Sequence, residues 1–174
     1  MRWMVPSAFL FGAILLAGDS GGGVHWTMPA SWKAEAQRPM RLATYTVARD
    51  GECGIYYFGP GQGGSVEANL DRWIGQFLQA DGKPSKAAAK VEKKTIHGLQ
   101  VTTVDVSGSY TGMGGPTAQP GPAVPGYRML GAIVEGPQGS IFIKFTGPAR
   151  TIAANRMAFN RMLESLRPTN SAGK

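Results

Sequence analysis

Six stretches of the chain alternate apolar and polar residues, and two others repeat at a helical interval. The alternating stretches fall in pairs around turn sequences. MRLATYTVA (40–48) and ECGIYYF (52–58) flank Asp50-Gly51, KVEKKTI (90–96) and LQVTTVDVS (99–107) flank His97-Gly98, and YRMLGAIVE (127–135) and SIFIKFT (140–146) flank Gly136-Pro137-Gln138-Gly139. Period-2 alternation rich in β-branched and aromatic residues reads as strand, and a glycine in a short connection supplies the positive φ of a hairpin turn. Three hairpins are therefore expected. A further short strand is expected in HWTMPASWK (25–33). Residues 108–126 are dominated by glycine and proline, so no regular element fits there, and a loop of that length reads as functional or mobile.

Val66, Leu70, Trp73, Ile74, Phe77 and Leu78 lie on one face of a helix that Ser65 would cap. The spacing predicts that it runs to about Ala80, before Asp81-Gly82 and Pro84. Ile152, Asn155, Phe159, Met162, Leu163 and Leu166 form a second stripe, with Thr151 as its expected N-cap and Pro168 beyond its end. Hairpins pair antiparallel, and striped helices must bury their apolar faces. The expected fold class is α+β: a mostly antiparallel sheet of six or seven strands with two long amphipathic helices packed on it. It forms a single domain over residues 25–168, with a frayed tail at 169–174.

The start of the chain differs in kind. Arg2 precedes an apolar run over residues 5–16, the length of a signal-peptide core and too short for a standard membrane span. Residues 1–20 are read as a signal peptide, or as an N-terminal anchor if they are retained, followed by a glycine tether over residues 21–24. Gly18 and Ser20 suit a cut after Ser20. LLAGDSGGG would be a lipoprotein processing box if Asp19 were cysteine. The expected location is exported: periplasmic or otherwise extracytoplasmic.

Composition narrows the partners. The 174 residues carry 18 Lys+Arg against 11 Asp+Glu, and the formal charge of +7 is unchanged once Arg2 and Asp19 are removed. A basic exported protein meets anionic lipid, acidic glycan or an acidic partner. Lys83, Lys86, Lys90, Lys93 and Lys94 cluster, either as the solvated guard of an edge strand or as a face for an anionic membrane. Aromatic residues do not interleave with the basic ones, which argues against nucleic acid. Trp26, Trp32, Trp73, Tyr56 and Tyr57 could stack on a glycan, although Trp73 belongs to the apolar stripe. Cys53 is the only cysteine; it excludes an internal disulfide and reads as a buried thiol.

Chemistry-bearing motifs are incomplete. In GPGQGGS, Gly59 and Gly64 have the spacing of a Walker loop, but Ser65 stands where the lysine belongs. Gly59, Gly61 and Gly64 match a dinucleotide pattern without the βαβ unit it needs. The loop reads as a structural corner, with weak anion binding by Gly61, Gly63, Gly64 and Ser65 as the alternative. His25 and His97 have no metal-ligand spacing, and Cys53 with His97 makes no nucleophilic set. Asp105, if it points inward, needs a partner such as an arginine; if outward it is ordinary, and its pairing with Glu135 as an acid–base couple is a further alternative. No cofactor or metal is expected.

WTMPASW, NLDRWIGQF, VTTVDVSGSYTG and FIKFTGPARTIAANRMAFNRMLESL together resemble the PsbP-like fold of photosystem-associated lumenal proteins and Ran-binding relatives. They also resemble a group of exported bacterial proteins, often lipoproteins, from which Asp19 departs. The resemblance covers residues 26–166 and implies an antiparallel sheet with helices on its faces, used for docking and assembly. The expected function is a non-enzymatic interaction module for a protein or envelope component. It would present residues 58–65, residues 108–126 with Met113 and Val124, or both. The alternatives are a small-ligand carrier or enzyme with a site between the sheet and those loops, and a membrane-surface module using the lysine cluster.

Overall fold

A computed structural model describes residues 19–112 and 122–169. In chain order the elements are β1 (Asp19–Gly21), β2 (Val24–Trp26), β3 (Lys33–Ala34), β4 (Arg41–Val47), β5 (Gly51–Tyr57), α1 (Val66–Ile74) and β6 (Phe77–Leu78). A 3-10 turn (Ser85–Ala87) precedes β7 (Lys90–Ile96), β8 (Leu99–Tyr110), β9 (Val124–Gly136), β10 (Gly139–Pro148), α2 (Ala149–Glu164) and β11 (Arg167–Pro168).

All three expected hairpins form: β4–β5, β7–β8 and β9–β10. His97 and Gly98 both take positive φ, 47° and 84°, which the two-residue turn requires. The hairpins join into one antiparallel sheet, β3-β4-β5-β10-β9-β8, in which β6 and β7 share the outer edge of β8. The sheet has eight strands rather than six or seven, because two-residue strands β3 and β6 flank it.

A second, three-stranded sheet, β1-β2-β11, corrects the expectation of a tether. Gly22 and Gly23 have φ of 59° and 79° and make the turn between β1 and β2. Gly23 also packs so closely that an added Cβ would lie 2.8 Å from Pro137. Asp19 belongs to this sheet. Its carboxylate accepts a hydrogen bond from the Tyr45 hydroxyl, which in turn accepts one from Trp26 Nε1 at 2.7 Å.

Alternation along the central strands divides the core between the two faces. Ile141, Ile143 and Phe145 pack with Ile152, Phe159, Met162 and Leu163 of α2. Met129, Ile133 and Phe142 pack with Leu70, Trp73 and Ile74 of α1. Each of these side chains, fully buried, contributes roughly 1.5–3 kcal/mol. One helix thus covers each face, but their lengths differ: nine residues in α1 and sixteen in α2.

The α1 helix stops at Ile74, six residues short of the expected end near Ala80. Gly75 follows, and Phe77 continues the apolar spacing because it returns to the same core in extended form, opposite Tyr110. The α2 helix begins two residues before Thr151, with Pro148 at the N-cap. Thr151 is therefore no cap. It is buried in the first turn, and its hydroxyl donates to Asp50 Oδ1 at 2.6 Å.

Candidate functional site

The feature that stands out chemically lies in the middle of β10. Ile143 and Phe145 face α2, so Lys144 points with Phe142 to the α1 side. Its cross-strand neighbours are both glycines, Gly54 on β5 and Gly131 on β9. Neither has room for a side chain: a Cβ on Gly54 would lie 2.8 Å from the Tyr56 hydroxyl, and one on Gly131 would lie 2.8 Å from the Trp73 ring. Lys144 therefore runs along a furrow walled by aromatic rings. Only 5% of the residue is exposed. Its Nζ donates to Gln76 Oε1, just beyond α1, and lies 5.6 Å from the centre of the Tyr110 ring.

Burial penalises the ammonium form and brings the Lys144 pKa down to about 7, helped by the positive charges of Arg72 and Arg41. A hollow of about 240 Å³ opens beside it, lined by Asp50, Glu52, Tyr56, Tyr110, Tyr127, Lys144 and Thr146. Tyr110 and Tyr127 sit on neighbouring strands with rings stacked at 5.7 Å and 6°. Burial first, then the nearby Tyr56 and Glu52, push the Tyr110 phenol up to about 12. Tyr56 is raised as well, again mainly by burial, and the Arg41 guanidinium lies 5.0 Å over its ring.

The acids at the rim are already engaged. Glu52 receives Arg41 at 2.6 Å and Arg38 at 3.1 Å, one on each oxygen. Asp50 receives Thr151 at 2.6 Å and Arg150 at 3.5 Å. The hollow is thus lined by three phenol rings, an amine, a threonine hydroxyl and two carboxylates already engaged by arginines.

The residues singled out in the sequence lie elsewhere. Gly61, Gly63 and Gly64 all have positive φ and build a corner. Asn69 ties it down, donating to Gly63 O at 2.7 Å and Ser65 O at 2.8 Å, while Ser65 Oγ caps α1 by accepting from Ala68 N. Gly63 lies against Phe142, with an added Cβ only 2.6 Å from the ring.

The lysines are adjacent in sequence but not on one face. Lys83 pairs with Asp81 at 3.1 Å and Lys86 with Asp71 at 2.8 Å. On β7, Lys90 and Lys94 line a hollow with Arg156 of α2, whereas Lys93 lines another with Glu67 and Glu135. Val124 is exposed at the start of β9, paired with Tyr110, so strand reaches into the stretch expected to hold no regular element. Met113 lies outside the described residues.

Asp105 does have its arginine. Arg128 grips it with Nε at 2.8 Å and Nη2 at 2.6 Å, and Arg156 adds a third contact at 3.1 Å. Burial would raise its pKa, but the Arg128 hydrogen bonds and the charges of Arg128, Arg156 and Lys90 outweigh it and hold the carboxyl below its ordinary value. Glu135 pairs with Gln100, five positions from Asp105 along β8, roughly 16 Å at the usual strand rise, so the two acids do not meet. His97 Nδ1 contacts Leu166 O at 2.9 Å, and Cys53 is buried with its thiol pKa pushed up. Trp26, Trp32 and Trp73 are all core residues.

Sequence reasoning passed over Lys144, Tyr110, Tyr127 and Gln76. The available signal was a lysine inside SIFIKFT, with Gly54 and Gly131 interrupting the two strands that prove to flank it.

The eight-stranded antiparallel sheet with a helix on either face is the PsbP-like fold. The chain is similar to the solution structure of cyanobacterial PsbP (CyanoP) from Synechocystis sp. PCC 6803, with a TM-score of 0.52 over 90% of this chain and 96% of that one. Identity is 10%, so the likeness is one of fold. No family model matches the chain. No curated protein matches it in sequence.

Proposed function

We propose that the protein is an exported, non-enzymatic binding module that receives a small ligand in the Lys144 hollow. The observation that carries this reading is a buried amine, set in a glycine furrow and walled by tyrosines, whose neighbouring carboxylates in the hollow, Asp50 and Glu52, are held by arginines rather than by the amine. A fold maintains so costly a group where it serves recognition or chemistry. The contact then lies at the foot of residues 108–126, where β8 and β9 bring Tyr110 and Tyr127 together, rather than on the glycine corner. The lysine cluster has no part in this reading, because its members divide between the faces. Export is supported by Arg2 and the apolar run that follows it.

A fragment screen read by NMR tests the site. Hits should perturb Tyr56, Tyr110 and Tyr127 together. Hits scattered over the surface, or gathered at the corner of Gly61 and Ser65, would remove the hollow from consideration.

A second reading, as an enzyme, has one observation in its favour. An amine uncharged near neutral pH condenses with a carbonyl to an imine, releasing water. Borohydride treatment in the presence of a small 2-oxo acid would then leave a stable adduct on Lys144, and an unmodified mass would exclude it.

A further inference from the structure

We infer that the Lys144 hollow selects a small carboxylate carried on a planar, unsaturated body, with the carboxylate on Lys144 Nζ and the plane against the tyrosine wall. This rests on the reading of the hollow as a ligand site and adds the class of ligand.

Charge is the first argument. All eleven acidic side chains of the chain lie among the described residues, and none forms an ion pair with Lys144. Glu52 and Asp50, the two at the rim, are held by arginines. The charges that act on the amine are cationic, those of Arg72 and Arg41. A buried amine that no carboxylate of the chain bonds is open to an anionic partner, and a ligand carboxylate supplies it in a charge-assisted hydrogen bond. An ammonium has three donors, and Gln76 is the single acceptor that bonds Nζ among the described residues.

Shape is the second. The Tyr110–Tyr127 pair presents flat aromatic surface, which favours an offset or edge contact with another π system. A cavity of about 150 Å³ suffices for benzene. The hollow of about 240 Å³ therefore has room for one ring and its carboxylate. A free phosphate would satisfy the charge and leave the rings unused.

The test is calorimetry and NMR on the folded protein with benzoate, its neutral counterpart benzamide, the cation benzylamine, and acetate, which has no ring. Benzoate should bind and shift the Tyr110 and Tyr127 resonances. Benzamide, benzylamine and acetate should each bind at least tenfold more weakly, and Lys144→Met should weaken benzoate at least tenfold. The comparison among probes needs only the wild type, so a poorly folding variant does not weaken the test. Benzamide binding as tightly as benzoate at the same tyrosines would overturn the ligand class and leave the hollow as the site. Shifts confined to surface residues such as Lys93, or no shift at the tyrosines with any probe, would overturn both.

Discussion

Lys144→Met should change how stability depends on pH, and in a direction opposite to the familiar loss of basic proteins in alkali. Below pH 7 the wild-type lysine is protonated in both folded and unfolded chains, and the full cost of burying the ammonium falls on the fold. As pH rises through about 7, the folded chain releases that proton, while the unfolded chain keeps it until about 10.5. The unfolded state then binds more protons, so stability rises with pH at about 1.4 kcal/mol per pH unit across that window. Between pH 7 and pH 9 the gain is about 2 kcal/mol, allowing for partial titration at the lower end. Methionine has similar length and no charge, so the variant lacks this slope. Urea unfolding at pH 6, 7, 8 and 9 measures both proteins. The raised phenol values of Tyr45, Tyr56 and Tyr110 begin to reduce stability only near pH 10, outside this range. A stability difference between wild type and variant that stays constant from pH 6 to pH 9 would refute the argument that Lys144 is buried without a counter-charge.

Asp105→Asn leaves Arg128 against a neutral partner between strands where the two side chains are only 16% and 21% exposed, and should cost about 2–3 kcal/mol in denaturant unfolding. Because the Asp105 carboxyl is held below its ordinary value, its stabilisation is present above about pH 4 and is lost as acid protonates it; the variant should show a shallower acid limb. Asn69→Ala removes the donor for two loop carbonyls and should cost about 2 kcal/mol while leaving the α2 face intact, as amide hydrogen exchange would show. Cys53 should resist maleimide in the native protein and label only as fast as the chain unfolds, since it is wholly buried and its thiolate is disfavoured; rapid native labelling would contradict that packing.

Much of the architecture was legible because turn chemistry is local. His97-Gly98 announced its hairpin. Asp50-Gly51 marked the other only approximately, since Gly51 already lies in β5, paired with Val47, and the positive φ falls on Ala48. Asp105, among valines, called for a partner such as an arginine if it pointed inward. What failed to show was whatever depends on the neighbours of a residue in space. Phe77 continues a helical stripe in sequence, yet Gly75 breaks the helix and the ring reaches the same core from a strand. The glycines at 21–23 read as a spacer because β11, the partner that closes their sheet, lies more than 140 residues away. Lys144 occupies a polar position in an alternating strand, which ordinarily faces water. Only the assembled sheet, with β5 and β9 on either side and rings folded over both glycines, makes it an interior residue.

The β8–β9 ribbon changes register between Gly108 and Tyr110. Tyr110 lies beyond that irregularity, while Lys144 and Tyr56 lie on the sheet body. One jaw of the clamp is therefore carried on an arm and the other is bolted to the frame. Phe77 ties that arm to the core beneath α1, pairing with Tyr110 and packing ring to ring at 5.0 Å, so a twist of the arm that alters the gap is felt at the helix.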